Sequence, residues 1–106
     1  MYMEERVISA IKRLVKKMFP AGKGTVLLFG SRVRGTARED SDWDLLVVTD
    51  DEISREDNFR EFAFPFAELG WRLGEQITPL HYTRSEWESF SGTYFYENVV
   101  SNSLVL

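Results

Sequence analysis

Apolar and polar residues form two different patterns along the first half of the chain: helical spacing, and short continuous apolar runs. Residues 3–19 carry apolar side chains at helical spacing with charged side chains between them, which predicts an amphipathic helix of about four turns. Pro20 and Gly22 follow this segment and indicate its end. The apolar runs 25–29 and 43–48 are rich in residues that favour β-structure and have turn residues beside them, so each predicts a buried strand.

The pattern in the second half predicts four further elements. They are a helix over residues 55–73, a strand over 76–83, a short helix over 84–90 and a final helix over 94–104. Pro65 lies inside the first of these helices and should kink or divide it. Pro79 lies inside the strand and favours a sheet edge or an irregularity, because proline has no N–H to donate to a neighbouring strand.

The order of these elements predicts the fold class. Helix, strand, strand, helix, strand and helix indicate an α/β (α+β) fold in which helices pack on a small mixed sheet of three to four strands. A chain of 106 residues has the size of one domain, and it contains no internal repeat, low-complexity segment or linker. The sequence therefore predicts a single domain over residues 1–106.

Composition and charge narrow the classes of function. There is no cysteine, which excludes disulfides and thiolate metal sites. The longest apolar runs are too short to cross a bilayer, and the N-terminus does not resemble a signal peptide, so we expect a cytoplasmic protein without membrane contact. The net charge of −4 argues against broad nucleic-acid binding. Residues 11–38, however, contain lysines and arginines but no acid, which favours a compact anion such as the phosphates of a nucleotide.

A Gly-Ser pair closes the first predicted strand. Backbone N–H groups at such a turn can bind phosphate oxygens, and the hydroxyl of Ser31 can add a hydrogen bond beside Gly30. Taken alone, the pair is more simply an ordinary turn.

Two closely spaced acids open the second predicted strand. Residues i and i+2 of a strand share a face, so Asp42 and Asp44 lie side by side while Trp43 faces the opposite way. Adjacent carboxylates repel unless a cation lies between them, and magnesium suits them because it completes its shell with water and substrate phosphates. The alternative for the acids alone is a solvated strand end. We refer to the turn at Gly30 and Ser31 as the phosphate turn, and to Asp42 and Asp44 as the acid pair. Together, the phosphate turn and the acid pair provide the groups that two-metal nucleotidyl transfer requires.

The stretch GSRVRGTAREDSDWDL resembles the signature of the DNA polymerase beta-like nucleotidyltransferase superfamily, G-S-x-x-R-G-x5-S-D-x-D-L. The small size and the leading helix resemble its minimal nucleotidyltransferase branch. The matching positions are Gly30, Ser31, Arg34, Gly35, Ser41, Asp42, Asp44 and Leu45.

The resemblance implies both an activity and a set of site residues. The activity is transfer of a nucleoside monophosphate, AMP above all, from ATP or another nucleoside triphosphate to an acceptor such as a protein hydroxyl. Asp42 and Asp44 would be catalytic and would hold Mg2+ in a two-metal site. The nucleotide would be bound by residues of the motif, namely Gly30, Ser31, Arg34 and Ser41. Whether the Arg34 guanidinium faces the phosphates or pairs with acids of the loop stays open, and Arg32 and Arg38 are further candidate phosphate contacts.

The resemblance also implies a partner. In the minimal branch the usual partner is a small helical HEPN-type protein, the toxin of a toxin–antitoxin pair. The predicted helix carries core residues at Phe59 and Phe62. Further aromatics exceed what one small sheet needs and suggest a partner surface: Phe64, Trp71, Trp87, Tyr94 and Phe95. The sequence leaves the oligomeric state open.

The chain departs from the family at the third strand. Family members that transfer nucleotides usually have a third carboxylate there, and the matching position is Thr78, with Leu80 next on the same face. Glu75 and His81 face away from Thr78 in a regular strand, which argues against either as a substitute. Three interpretations remain: a slow transferase, a site completed by a partner, or a module that binds a nucleotide or a partner protein.

Overall fold

The computed structural model describes residues 2–38 and 40–106, with the side chains of residues 2–4 left aside. The chain forms five α-helices and four strands in these ranges. In order they are α1 (Tyr2–Met18), β1 (Gly24–Phe29), α2 (Ser31–Arg34), β2 (Trp43–Thr49), α3 (Phe64–Leu73), β3 (Ile77–Thr83), α4 (Arg84–Ser89), α5 (Tyr94–Ser101) and β4 (Leu104–Val105). None of the helices in these ranges is long and apolar enough to span a lipid bilayer.

The strands form one mixed sheet in the order β3-β2-β1-β4. The central pair β1 and β2 is antiparallel and places Phe29 opposite Asp44. β2 and β3 are parallel and place Asp44 beside Thr78. The end of β1 and the beginnings of β2 and β3 therefore meet at one end of the sheet. This mixed four-stranded sheet with packed helices confirms the predicted fold class.

Helices cover both faces of the sheet. On the first face, α1 and α3 pack with alternate β2 residues in a core that includes Ile11, Trp43, Leu45 and Phe66. On the second face, α4 and α5 pack against the other β2 side chains through a smaller cluster that includes Trp87. Alternation along β2 thus sends Trp43 into the main core and Asp44 toward the opposite face.

Two prolines act as predicted. Pro79 lies in β3, which is the edge strand of the order β3-β2-β1-β4, where a missing N–H is tolerated. Pro65 divides the predicted helix 55–73: a π-helical turn covers Phe59–Ala63, and α3 begins at Phe64 with the proline in its first turn. The proline suits this position because the first N–H groups of a helix have no partner within it.

Two predictions about the elements were wrong. The final helix ends at Ser101 rather than continuing to residue 104, and β4 follows it. The Leu106 N–H donates to the Val26 carbonyl at 2.8 Å, which extends this pairing with β1. A strand of two residues is too short for any period to appear in the sequence. Phe59, predicted to lie in the core, is 54% exposed at the start of the π-helical turn, where the α-helical period used for the prediction does not apply.

Candidate active site

Gly30 forms the turn between β1 and α2. It has φ 82° and ψ −155°, a conformation that side-chain-bearing residues rarely adopt. Its carbonyl accepts hydrogen bonds from the N–H groups of Val33 at 3.1 Å and Arg34 at 3.2 Å. A Cβ at this position would overlap the Asp44 carboxylate oxygen Oδ2. The turn therefore lies directly against the acid, and only glycine allows that approach.

The acid pair begins β2 on the second face of the sheet. Asp42 is exposed and Asp44 is half-buried. Burial raises the pKa of Asp44, the negative charge of Asp42 raises it further, and the positive charge of Arg34 opposes both. The two carboxylates are thus close enough to repel, and the Arg34 guanidinium is close enough to offset part of that repulsion. The charge of Arg34 therefore lies near the acid pair, where it would also be close to phosphates bound there.

Thr78 occupies the place on β3 next to the acid pair. It is the register partner of Asp44, and its hydroxyl donates to Asp42 Oδ2 at 3.3 Å. A hydroxyl at this position binds a carboxylate but supplies neither a negative charge nor an effective base. In residues 2–38 and 40–106, no group of three or more acids, histidines or cysteines could hold a metal ion.

Glu75 and His81 both lie away from the acid pair. Glu75 accepts from the Trp43 indole N–H at 2.9 Å, so it belongs to the first face. His81 also faces the main core, where its Nε2 is 2.8 Å from the hydroxyl of Thr49 and its ring stacks on Phe62 at 5.4 Å. Burial lowers the pKa of His81. Neither residue replaces the third carboxylate in this arrangement.

The two serines of the motif have different surroundings. Ser31 is partly exposed at the start of α2, and its carbonyl accepts from the N–H of Thr36 at 3.2 Å. Ser41 is tied into its own loop: its hydroxyl accepts from the Arg38 N–H at 2.7 Å, and its carbonyl accepts from Arg32 Nη2 at 2.7 Å. Arg32, which was a plausible phosphate contact from the sequence, instead turns to the first face and stacks on Trp43.

The donor set fits a magnesium ion that is shared with a substrate. Asp42 and Asp44 offer two carboxylates on one face, and the lack of a Cβ at Gly30 lets the turn lie directly against Asp44. Magnesium in nucleotide enzymes is bound by one or two carboxylates, with water and phosphate oxygens completing six positions. Burial and the charge of Asp42 both raise the pKa of Asp44, and a bound cation would offset the repulsion between the two carboxylates. A metal held by protein atoms alone would fit poorly, because Thr78 replaces the third acid.

A cavity of about 470 Å³ opens beside the loop that leads into β2. It is lined by residues before β2, on α3 and before β3: Asp40, Ser41, Trp71, Gly74, Glu75 and Gln76. Trp71 is 63% exposed at this cavity. Its volume is within the range of small-molecule sites, but the residues that line it include neither the acid pair nor the turn at Gly30 and Ser31.

Sequence and structure comparisons identify the family. The nucleotidyltransferase domain family matches residues 8–102, which include the phosphate turn, the acid pair and all of β3. No curated protein sequence matches the chain. Because the family match covers most of the chain, the protein belongs to the nucleotidyltransferase domain family, a family of transferases, and the resemblance seen in the motif is confirmed.

Two solved structures share the fold. One is described as a "putative minimal nucleotidyltransferase"; it is 26% identical, covers 99% of this chain and 93% of its own, and has a TM-score of 0.59. The other is a crystal structure of a toxin–antitoxin with AMP-PNP; it is 23% identical, covers 92% of this chain and 69% of its own, and has a TM-score of 0.62. The first supports the minimal branch of the family, and the second shows the fold.

Proposed function

We propose that residues 1–106 act as a single cytoplasmic domain that transfers AMP from ATP to a protein hydroxyl in a magnesium-dependent reaction. The acceptor belongs to a HEPN-type partner that this chain serves as an antitoxin. One observation carries the proposal: the Gly30 turn lies directly against the carboxylate of Asp44, on the face that Asp42 shares. A phosphate-binding turn and a metal-binding acid pair are thereby combined in one site.

Each candidate site residue has a role in this reaction. N–H groups of the Gly30 turn and the hydroxyl of Ser31 bind phosphate oxygens, and Ser41 holds the loop beside them. Asp42 and Asp44 would hold magnesium, which supplies positive charge against the triphosphate and the leaving pyrophosphate.

The chain's own residues also set the course of the transfer. Arg34 adds positive charge next to the acid pair. The acceptor oxygen attacks the α-phosphorus in line, the bond to the bridging oxygen breaks and pyrophosphate leaves. Because Thr78 offers no base, the acceptor proton passes to water, and the reaction is slower than with a positioned carboxylate.

Two observations support a nucleotide donor and a protein partner. The similar toxin–antitoxin structure was solved with AMP-PNP, an ATP analogue. This chain also exposes two of the aromatic residues predicted to form a partner surface, since Trp71 is 63% and Tyr94 is 87% exposed. Trp87, which the sequence placed in the same group, is instead buried in the core between the sheet, α4 and α5.

Thr78 favours a second candidate function. A hydroxyl bound to Asp42 in place of a third carboxylate is also what a module that binds a nucleotide or a partner without transfer would retain. In that case the acid pair still binds a magnesium nucleotide, but no covalent product forms.

Label transfer separates the two functions. The chain, purified with the proteins that accompany it, is incubated with magnesium and ATP labelled at either the α- or the γ-phosphate. AMP transfer predicts protein-bound label from α-labelled ATP only, and its loss in Asp44→Asn. Asp50→Asn is the matched control, because Asp50 lies beyond the opposite end of β2 and pairs with Arg84. Nucleotide binding without protein-bound label favours the binding module, and label from the γ-phosphate contradicts nucleotidyl transfer.

A further inference from the structure

A buried charged cluster lies behind the acid pair, on the first face of the sheet. It consists of Arg32, Trp43 and Glu75, and we refer to it as the rear cluster. The Arg32 guanidinium carbon is 4.3 Å from the ring centroid of Trp43. The Trp43 indole N–H donates to Glu75 Oε1 at 2.9 Å, and Arg32 Nη2 is 3.9 Å from the same oxygen. The side chains of Arg32 and Glu75 are only 7% and 9% exposed.

The rear cluster joins the three segments that form the site. Arg32 directly follows Ser31 of the phosphate turn, and Trp43 lies between Asp42 and Asp44. Glu75 precedes β3, the strand that carries the hydroxyl facing Asp42. Two polar contacts reinforce the junction: Arg32 donates to the carbonyl before Asp42 at 2.7 Å, and the Trp43 backbone N–H donates to the carbonyl before β3 at 2.8 Å.

Stability alone does not account for this chemistry. Burying an ion pair costs desolvation energy, and apolar residues of similar size commonly stabilise a core as well or better. The charged groups instead fix the relative positions of the segments that they join. A guanidinium is planar and can stack on an indole while its N–H groups donate in the plane, which an ammonium cannot do. Arg32 therefore sets two distances: the distance between the phosphate turn and the Trp43 ring, and the distance between that turn and the loop before β2.

We propose that Arg32, Trp43 and Glu75 are positioning residues, which hold the phosphate turn and the acid pair at the separation that a magnesium nucleotide requires. The inference rests on the proposed function of that site. The three residues contact one another on the face opposite to the acid pair. Their effect on binding is therefore transmitted through the backbone of Ser31, Asp42 and Asp44.

Conservative variants test the proposal. Arg32→Lys keeps the positive charge without the stacked fork, and Trp43→Phe keeps an aromatic ring without the indole donor. We expect both to weaken the affinity for MgATP by at least about tenfold at a temperature where they are folded, since small misplacements at such sites have large effects. The control is Val47→Ala, which removes buried volume from the same face of β2 further along the strand and leaves the rear cluster intact. Its MgATP affinity should equal that of the wild type.

A second measurement does not depend on the nucleotide. Amide hydrogen exchange of the turn reports its rigidity through the bonds from Val33 and Arg34 to the Gly30 carbonyl and from Thr36 to the Ser31 carbonyl. Exchange should accelerate at these amides in Arg32→Lys and Trp43→Phe, but not in Val47→Ala.

The two readouts separate the inference from the proposed function. A wild type that does not bind MgATP contradicts the proposed function, while faster exchange in the two variants still supports positioning. Unchanged exchange and affinity in both variants would overturn the inference. A loss of affinity in Arg32→Lys alone would also overturn it, because a direct contact between arginine and phosphate would then explain the result.

Discussion

Replacing Gly30 by alanine tests whether the phosphate turn and the acid pair form one unit. The φ of 82° and ψ of −155° at this position are essentially restricted to glycine, and imposing such a conformation on alanine costs about 1–3 kcal/mol. The new Cβ would also lie 3.2 Å from the Asp44 Cγ and closer still to Oδ2, whereas ordinary contact begins near 3.4 Å. The carboxylate must therefore move by about 1 Å, a displacement that can cost about 100-fold in rate.

The assay combines chemical denaturation with titration of MgATP and measurement of label transfer. Gly30→Ala should lower the free energy of unfolding by about 1–3 kcal/mol, and MgATP binding and transfer should fall far more than this loss of stability explains. Gly22→Ala is the control, because Gly22 has a similar φ of 73° but no atom lies within 4 Å of the Cβ it would gain. It should lose stability and keep nucleotide binding. Equal MgATP affinity in the two variants would refute the reasoning.

Three further predictions follow from single contacts. Thr78→Asp should place a carboxylate beside Asp42, where the Thr78 hydroxyl now donates at 3.3 Å. Because this carboxylate supplies the missing base, the transfer rate should rise by about 10²–10⁴-fold. Thr78→Asn, which adds no charge, should leave the transfer rate without this increase. Burial lowers the pKa of His81 more than the charge of Glu86 raises it. The folded protein therefore gains stability from neutral His81 above the unfolded pKa of about 6.5, and it loses that stability as the pH falls through the lower, folded pKa. Denaturation between pH 7 and 5 should therefore show a weaker pH dependence in His81→Gln, and an unchanged slope would contradict this. Thr83→Ala removes the hydroxyl that accepts the Glu86 N–H at 3.3 Å, which should cost about 1 kcal/mol and lower the Tm by about 4–8 °C; a smaller shift would mean that the cap contributes little.

The elements with a clear hydrophobic pattern could be predicted from the sequence. The apolar spacing of α1 and the continuous apolar run of β2 correctly indicated a helix and a buried strand. Pro79 predicted either a sheet edge or an irregularity, and β3 is an edge strand. β4 could not be predicted, because two residues show no period and its pairing with β1 depends on tertiary contacts. The π-helical turn before α3 was missed because it shifts the facing of Phe59 within an otherwise helical pattern.

Side-chain partners in the candidate site were harder to predict. The family pattern correctly placed Thr78 beside the acid pair, and strand alternation correctly placed Glu75 on the opposite face. The rear cluster was missed because an arginine next to a phosphate turn is plausible as a phosphate ligand. The strand pattern nevertheless held a signal. Trp43 pairs in register with Ile77, and Glu75 comes two residues before Ile77, so the Glu75 side chain lies on the same face as the indole. The rotamer that turns Arg32 toward that face is not visible in a sequence.

Calorimetric titration of ATP into the purified chain, with magnesium and then with EDTA, tests the central claim most directly. We expect binding that requires magnesium, disappears in Asp42→Asn and Asp44→Asn, and persists in the control Asp50→Asn at the far end of β2. Binding that survives both EDTA and the two site variants, or a folded wild type that shows no binding at millimolar ATP, would contradict it.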